Sequence, residues 1–184
     1  MIKKILILLS FNLIYLNCYP QKVDTILTNE AYKSFVNYEL KQPLYVVYKL
    51  YKGGGTCSRA GFFFKNDTPI KIANTQDYSK SGYDKGHLAG AEDFAYDCKK
   101  DELTFRYYNC LPQTPNMNRG VWKQYETKVR EWSQSDSLLI ICGGRFKDIK
   151  KIGDGCAVPD HCFKVVKSLS SGKILSVVYF TNTP

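Results

Sequence analysis

With 184 residues, 44% hydrophobic and 23% charged, the chain is long enough for one domain with a real core, and its composition excludes wholesale disorder. Lys and Arg number 26 against 17 Asp and Glu, a formal net charge of +9 at pH 7. That excess suits polyanions such as nucleic acid or an anionic membrane, and equally serves solubility, so charge alone assigns no function.

The first twenty residues, MIKKILILLSFNLIYLNCYP, place Lys3 and Lys4 ahead of an apolar run of 12, Ile5 to Leu16. Such a run is too short for a bilayer-spanning helix, which takes roughly 20 residues. A basic start with a short apolar stretch reads as a signal peptide. Leu16-Asn17-Cys18 resembles a lipoprotein cleavage site, although Asn17 stands where a small residue is usual. Cys18 is therefore a candidate lipid anchor, with ordinary cleavage near Cys18 to Gln21 as the alternative. The expectation is an exported protein, periplasmic, secreted or envelope-anchored, with one domain over residues 21–184.

Along that domain, TNEAYKSFVNYEL (28–40) reads as a helix. LYVVYKLY (44–51) is rich in β-branched and aromatic residues and reads as a strand, stopped by Gly53-Gly54-Gly55. GFFFK (61–65) reads as a second strand, and residues 66–83 as polar loop. In residues 116–134, Val121, Trp122, Tyr125, Val129 and Trp132 recur at helical spacing. LLIIC (138–142) suits a buried strand. CFKVVKS and KILSVVYF flank Ser170-Ser171-Gly172 as a hairpin. The chain stops soon after, leaving room for a further strand or tail beyond it. Strands around a helix give an α+β domain with a mixed, mainly antiparallel sheet.

Six cysteines follow Cys18: Cys57, Cys98, Cys110, Cys142, Cys156 and Cys162. An even count in an exported chain points to disulfides, with Cys98–Cys110 and Cys156–Cys162 as short-range candidates. No Cys-x-x-Cys pair occurs, which argues against a zinc ribbon.

Asn118, Trp122, Glu126 and Arg130 recur every fourth residue. On an ideal helix Asn118 and Glu126 lie about 80° apart, in neighbouring sectors. Their hard oxygen donors suit Mg²⁺, which takes few protein ligands and keeps its waters. By itself the pattern describes a helix cap and a surface Glu–Arg pair equally well.

A second segment changes the weighing. Asp84-Lys85-Gly86-His87 is followed by Asn109, by Pro112-Gln113, by Asn118-Arg119-Gly120-Val121-Trp122, and by Glu126, with Asn118 standing 31 residues after His87. In this order and spacing the residues resemble the DNA/RNA non-specific endonuclease family, whose site is a ββα-metal (His-Me) finger. DYSKSGY and VPDHCFKVV resemble further family segments, and the likeness covers roughly residues 44–180.

The resemblance implies a ββα-metal core and a Mg²⁺ cofactor, with Mn²⁺ as a substitute. His87 would be the general base, consistent with an unperturbed pKa near neutrality. Asn118 would be the direct metal ligand, and Glu126 would hold a water of the metal. Arg130 would sit near the scissile phosphate, Lys85, Arg119 and Gln113 would meet the substrate, Lys85 and Asn109 would belong to the catalytic set, and Asn109 and Gln113 would support the site or its substrate. The substrates implied are DNA and RNA, cut to 5′-phosphorylated fragments; an inhibitor partner is left open. Lys85 stands where the family has Arg and Gly90 where Pro is common. Lysine keeps the charge and loses the two-pronged donor geometry. The competing reading is a non-catalytic nucleic-acid-binding protein on a degenerated nuclease scaffold. His161 reads as structural.

Overall fold

Six antiparallel strands build the central sheet in the order β1-β2-β3-β6-β9-β10. They are β1 (Thr25–Thr28), β2 (Lys33–Asn37), β3 (Gln42–Leu50), β6 (Leu138–Arg145), β9 (His161–Ser168) and β10 (Ile174–Thr181). The computed structural model describes residues 21–183, so the signal peptide and the Cys18 anchor lie outside it. Two small antiparallel ribbons pair β4 (Asp84–His87) with β5 (Cys110–Gln113), and β7 (Lys150–Ile152) with β8 (Cys156–Val158). The helices are short: α1 (Thr75–Tyr78), α2 (Cys98–Thr104), α3 (Pro115–Met117) and α4 (Lys123–Ser133). Among the described residues no helix is long and apolar enough to cross a membrane.

The α+β class and the antiparallel sheet agree with the sequence reading. Strands β3, β6, β9 and β10 fall where alternation and β-branching placed them. Val46, Leu50, Leu138, Ile140 and Val166 point inward and join Leu88, Leu111 and Trp122 in one buried core. β9 alternates strictly, with Cys162, Lys164, Val166 and Ser168 turned inward. A lysine in that row is unusual, since lysine is almost never fully buried unless paired.

Three expectations about secondary structure are corrected. Residues 28–40 are not a helix: they form the end of β1, a turn and β2. The side chain of Asn29 accepts hydrogen bonds from the N–H groups of Ala31 and Tyr32, which reverses the chain. Beyond it, Phe35 stacks on Tyr45 across the sheet at 4.4 Å. Cross-strand pairing overrides a weak helical preference. Residues 61–65 make one parallel bridge, Lys65 to Arg106, and no strand. The polar stretch after them contains α1, started by a reciprocal cap between Asn74 and Asp77.

The disulfide is Cys57–Cys98, closing 41 positions of sequence, and neither short-range pair forms. Cys110, Cys142, Cys156 and Cys162 are buried free thiols. Other groups occupy them: Gln42 Nε2 donates to Cys156 Sγ, Gln113 Nε2 to Cys162 Sγ, and the Cys142 thiol to the Leu88 carbonyl. Sequence proximity did not bring sulfur to sulfur: Cys98 opens α2 and is taken by Cys57, while β5, β8 and β9 aim Cys110, Cys156 and Cys162 at other neighbours.

Candidate active site

The β4–β5 ribbon sets His87 opposite Cys110 and Asp84 opposite Gln113. Gly86 is required at the ribbon's centre, because a Cβ there would lie 2.0 Å from Gln113 Oε1. Gln113 is fully buried and has nowhere to go. Gly86→Ala is expected to destabilise the fold by about 1–3 kcal/mol through overpacking. Urea unfolding measures this, and an unchanged midpoint would contradict it.

After β5 the chain turns into the helical arm with Pro115 in the first turn. The arm is not one regular helix. Gly120 has φ −100° and ψ −109°, and the turn Asn118–Trp122 is widened to π-type before α4 resumes. The 80° sector argument drawn from an ideal helix therefore does not apply. This kink sets where Asn118 faces relative to Glu126, and such widened turns often occur at functional sites.

A groove of about 720 Å³ receives Lys85 and His87 from β4 on one side. Asn118, Arg119, Glu126 and Arg130 from the helical arm line the other. The His87 ring packs 4.7 Å from Phe64 and edge-on at 4.8 Å from Phe105. Trp122 Nε1 donates to the His87 carbonyl and ties the ribbon to the arm. Burial, reinforced by the nearby Arg59 charge, pushes the His87 imidazole down from its usual 6.5 to about 3. The ring is therefore neutral at pH 7, as a base must be to accept a proton. Its Nε2 is buried without a partner.

Asn118 Nδ2 donates to Asp84 Oδ2 at 2.9 Å, and Arg119 grips the same carboxylate at 2.8 and 2.7 Å. The Arg119 and Asn118 hydrogen bonds hold the Asp84 carboxyl below its ordinary range. Asp84 thereby orients the amide and leaves Asn118 Oδ1 without a protein donor among the described residues. No cluster of three or more His, Cys, Asp or Glu able to cage a metal occurs among them. One amide oxygen and one nearby carboxylate fit a hard cation that keeps most of its waters, not a zinc cage.

The model of the DNA/RNA non-specific endonuclease family matches residues 12–183. The chain belongs to that family. A nuclease of Nostoc sp. is 37% identical over 95 residues, covering 51% of this chain and 35% of that protein. Human mitochondrial endonuclease G is 32% identical over 119 residues, covering 56% and 40%. The chain thus matches less than half the length of these two curated relatives. A solved structure of the EndoG/EndoGI complex superposes with a TM-score of 0.78 at 24% identity, covering 89% of this chain and 76% of that one, which is a likeness of fold.

In this member of the endonuclease family the remaining candidates take distinct places. Glu126 lies 3.5 Å from Lys164 Nζ. Burial raises the Glu126 carboxyl above its ordinary value, and the Lys164 charge opposes the rise. Arg130 does not pair with Glu126. It binds Asp93 at 3.1 Å, and Asp93 also accepts from Tyr48 at 2.7 Å. The Lys85 ammonium lies 5.8 Å from the Phe64 ring centre and 5.7 Å from that of Tyr107.

Asn109 and Gln113 do not line the groove. Asn109 is fully buried, exchanges hydrogen bonds with the backbone of Ala89, and donates to the Thr104 carbonyl. It braces the segment after His87, and its position is that of a support rather than a group in contact with substrate. Val121, assigned to the apolar face, is 47% exposed, whereas Trp122 and Val129 are buried. His161 sits at the surface beside Asp160 and Arg145.

Arg59 escaped the sequence reading. It lines the groove and is held by Asp101 and Glu92. Nothing local in CSRAG marks it; only the Cys57–Cys98 bridge and the packing against Glu92 and Asp101 bring it there.

Proposed function

We propose that the protein is an exported, Mg²⁺-dependent, sugar-non-specific endonuclease that hydrolyses DNA and RNA to 5′-phosphorylated fragments. The observation that carries this is the groove lined both by a neutral His87 on β4 and by the oriented amide of Asn118 on the arm. Asn118 Oδ1 would hold the cation, with Glu126 beside it. When bound, Mg²⁺ supplies positive charge for the pentacovalent phosphate and the departing 3′ oxygen, with Mn²⁺ as a substitute. His87 accepts the proton of the attacking water. Lys85, Arg119, Arg130 and Arg59 neutralise the phosphates that flank the scissile bond. Phosphate contacts carry little sequence information, which supports low specificity.

Export is supported by the charged and apolar pattern of residues 1–20, and by the Cys57–Cys98 disulfide, which needs an oxidising compartment. Lipid attachment at Cys18, which would leave Cys18 ahead of the domain at residues 21–184, is the alternative form of that processing. The structural neighbour is a complex of EndoG with EndoGI in which EndoG is inhibited; an inhibitor of this chain would act by covering the groove described above.

A second reading, nucleic-acid binding without cleavage, is favoured by Lys85, whose ammonium rests on aromatic faces where the family has a forked arginine. Incubating plasmid DNA and ribosomal RNA with the purified protein separates the two. Cleavage of both with Mg²⁺, abolished by EDTA, is expected. Salt-sensitive binding with no cleavage in Mg²⁺ or Mn²⁺ would favour the second reading.

A further inference from the structure

We propose that Lys164 is a positioning residue of the metal site, holding Glu126 by one oxygen so that the other faces the groove. The proposal rests on the role given above to Glu126. Lys164 is fully buried in the middle of β9. Burying an ammonium among apolar groups is costly, so its partners explain its presence. It has two, both on the helical arm that carries Asn118. Its Nζ lies 3.5 Å from Glu126 Oε1 and 4.5 Å from the centre of the Trp122 ring. A single cation on a rigid central strand thus ties down the arm directly beneath the groove.

The division of the carboxylate follows from the contacts. Oε1 is the inward oxygen: it meets Lys164, and the Gly90 Cα faces it closely enough that a Cβ there would lie 3.2 Å away. Oε2 makes no hydrogen bond with any described residue and is the oxygen left for the cation's waters. Arg130, half-buried four residues beyond Glu126, does not take the place of Lys164: it is committed to Asp93, and the second oxygen of Asp93 is taken by Tyr48. Groups that orient metal-bound ligands from outside are commonly worth about 10–100-fold in metal affinity.

The test measures Mn²⁺ binding directly by electron paramagnetic resonance on the full chain, alongside the melting temperature in EDTA. Four variants are compared: Lys164→Met, Lys164→Gln, Glu126→Gln and the double Lys164→Met/Glu126→Gln. Both Lys164 variants are expected to weaken Mn²⁺ binding by about tenfold or more. The double variant should bind no more weakly than Glu126→Gln, because Lys164 acts through Glu126. It should also melt above Lys164→Met, since no carboxylate is then stranded without its cation. Wild-type Mn²⁺ affinity in a Lys164 variant that only melts lower would overturn the proposal and leave Lys164 a packing residue. Losses that add in the double variant would overturn it as well. Unchanged affinity in Glu126→Gln would instead remove Glu126 from the metal site. If Lys164→Met does not fold, Lys164→Gln, which keeps a neutral donor in the slot, carries the same comparison.

Discussion

Replacing His87 by alanine is expected to lower cleavage of DNA and of RNA by about 10²- to 10⁴-fold, the range for a positioned general base. Binding of DNA in EDTA should stay near wild type, because the imidazole is neutral and offers phosphate no charge. A variant that cleaves within tenfold of wild type would remove His87 from the role of base. The ring's environment adds a sign to the prediction. Its pKa is lowered in the fold to about 3 from an ordinary 6.5, so the neutral ring persists well below pH 6.5. The acid limb of kcat/KM, which reports the free enzyme, should therefore fall at lower pH than an exposed histidine would give. Stability follows the same linkage. Between about pH 6.5 and 3 the unfolded chain binds the proton that the fold refuses, so this contribution is present above 6.5 and is lost as pH falls. His87→Ala should flatten the decline in unfolding free energy over that window. An identical slope in the two proteins would contradict the burial argument.

The second large effect is on stability. Trp122 is 1% exposed and is the point where strand, arm and sheet meet. Its indole donates to the His87 carbonyl at 3.2 Å, its face carries Lys164 at 4.5 Å, and its edge meets Phe180 at 5.9 Å between ring centres. Trp122→Ala is expected to cost about 3–5 kcal/mol in urea unfolding, the range for deleting a large buried aromatic. Trp122→Phe keeps a ring under the ammonium but loses the donor, and should cost closer to about 1 kcal/mol from that hydrogen bond, plus a packing loss. Equal losses in the two variants would show that the indole N–H, not the ring, dominates. A loss below about 1 kcal/mol for the alanine variant would refute the central role of this residue.

Much of the site was legible because its chemistry is written in short segments. Asp84-Lys85-Gly86-His87 and Asn118-Arg119-Gly120-Val121-Trp122 each lie within one element, and the structure brings both to one groove. The supporting side chains were less legible. Asn109 and Gln113 stand in the motif but turn inward, one to brace Ala89 and the other to fill the space left by the absent side chain of Gly86. Lys164 was present in a segment noted for its likeness to the family, yet nothing in CFKVV distinguishes an inward lysine from an outward one until the register of β9 is known. Arg59 had no motif at all.

The division has a physical basis. Local pattern was enough for the α+β class, the strands β3, β6, β9 and β10, the α4 helix, and the order of His87, Asn118 and Glu126 along the chain. These rest on local periodicity near 2 or 3.6 residues and on motifs a few residues long. Contacts between distant segments were needed to show that residues 28–40 hold the end of β1, a turn and β2, that Gly120 bends the arm, that Cys57 pairs with Cys98, and that Arg59 and Lys164 reach Glu92 and Glu126. Each of those outcomes depends on a partner distant in the chain, and pairing energy between distant segments outweighs the weak local preference that a sequence displays.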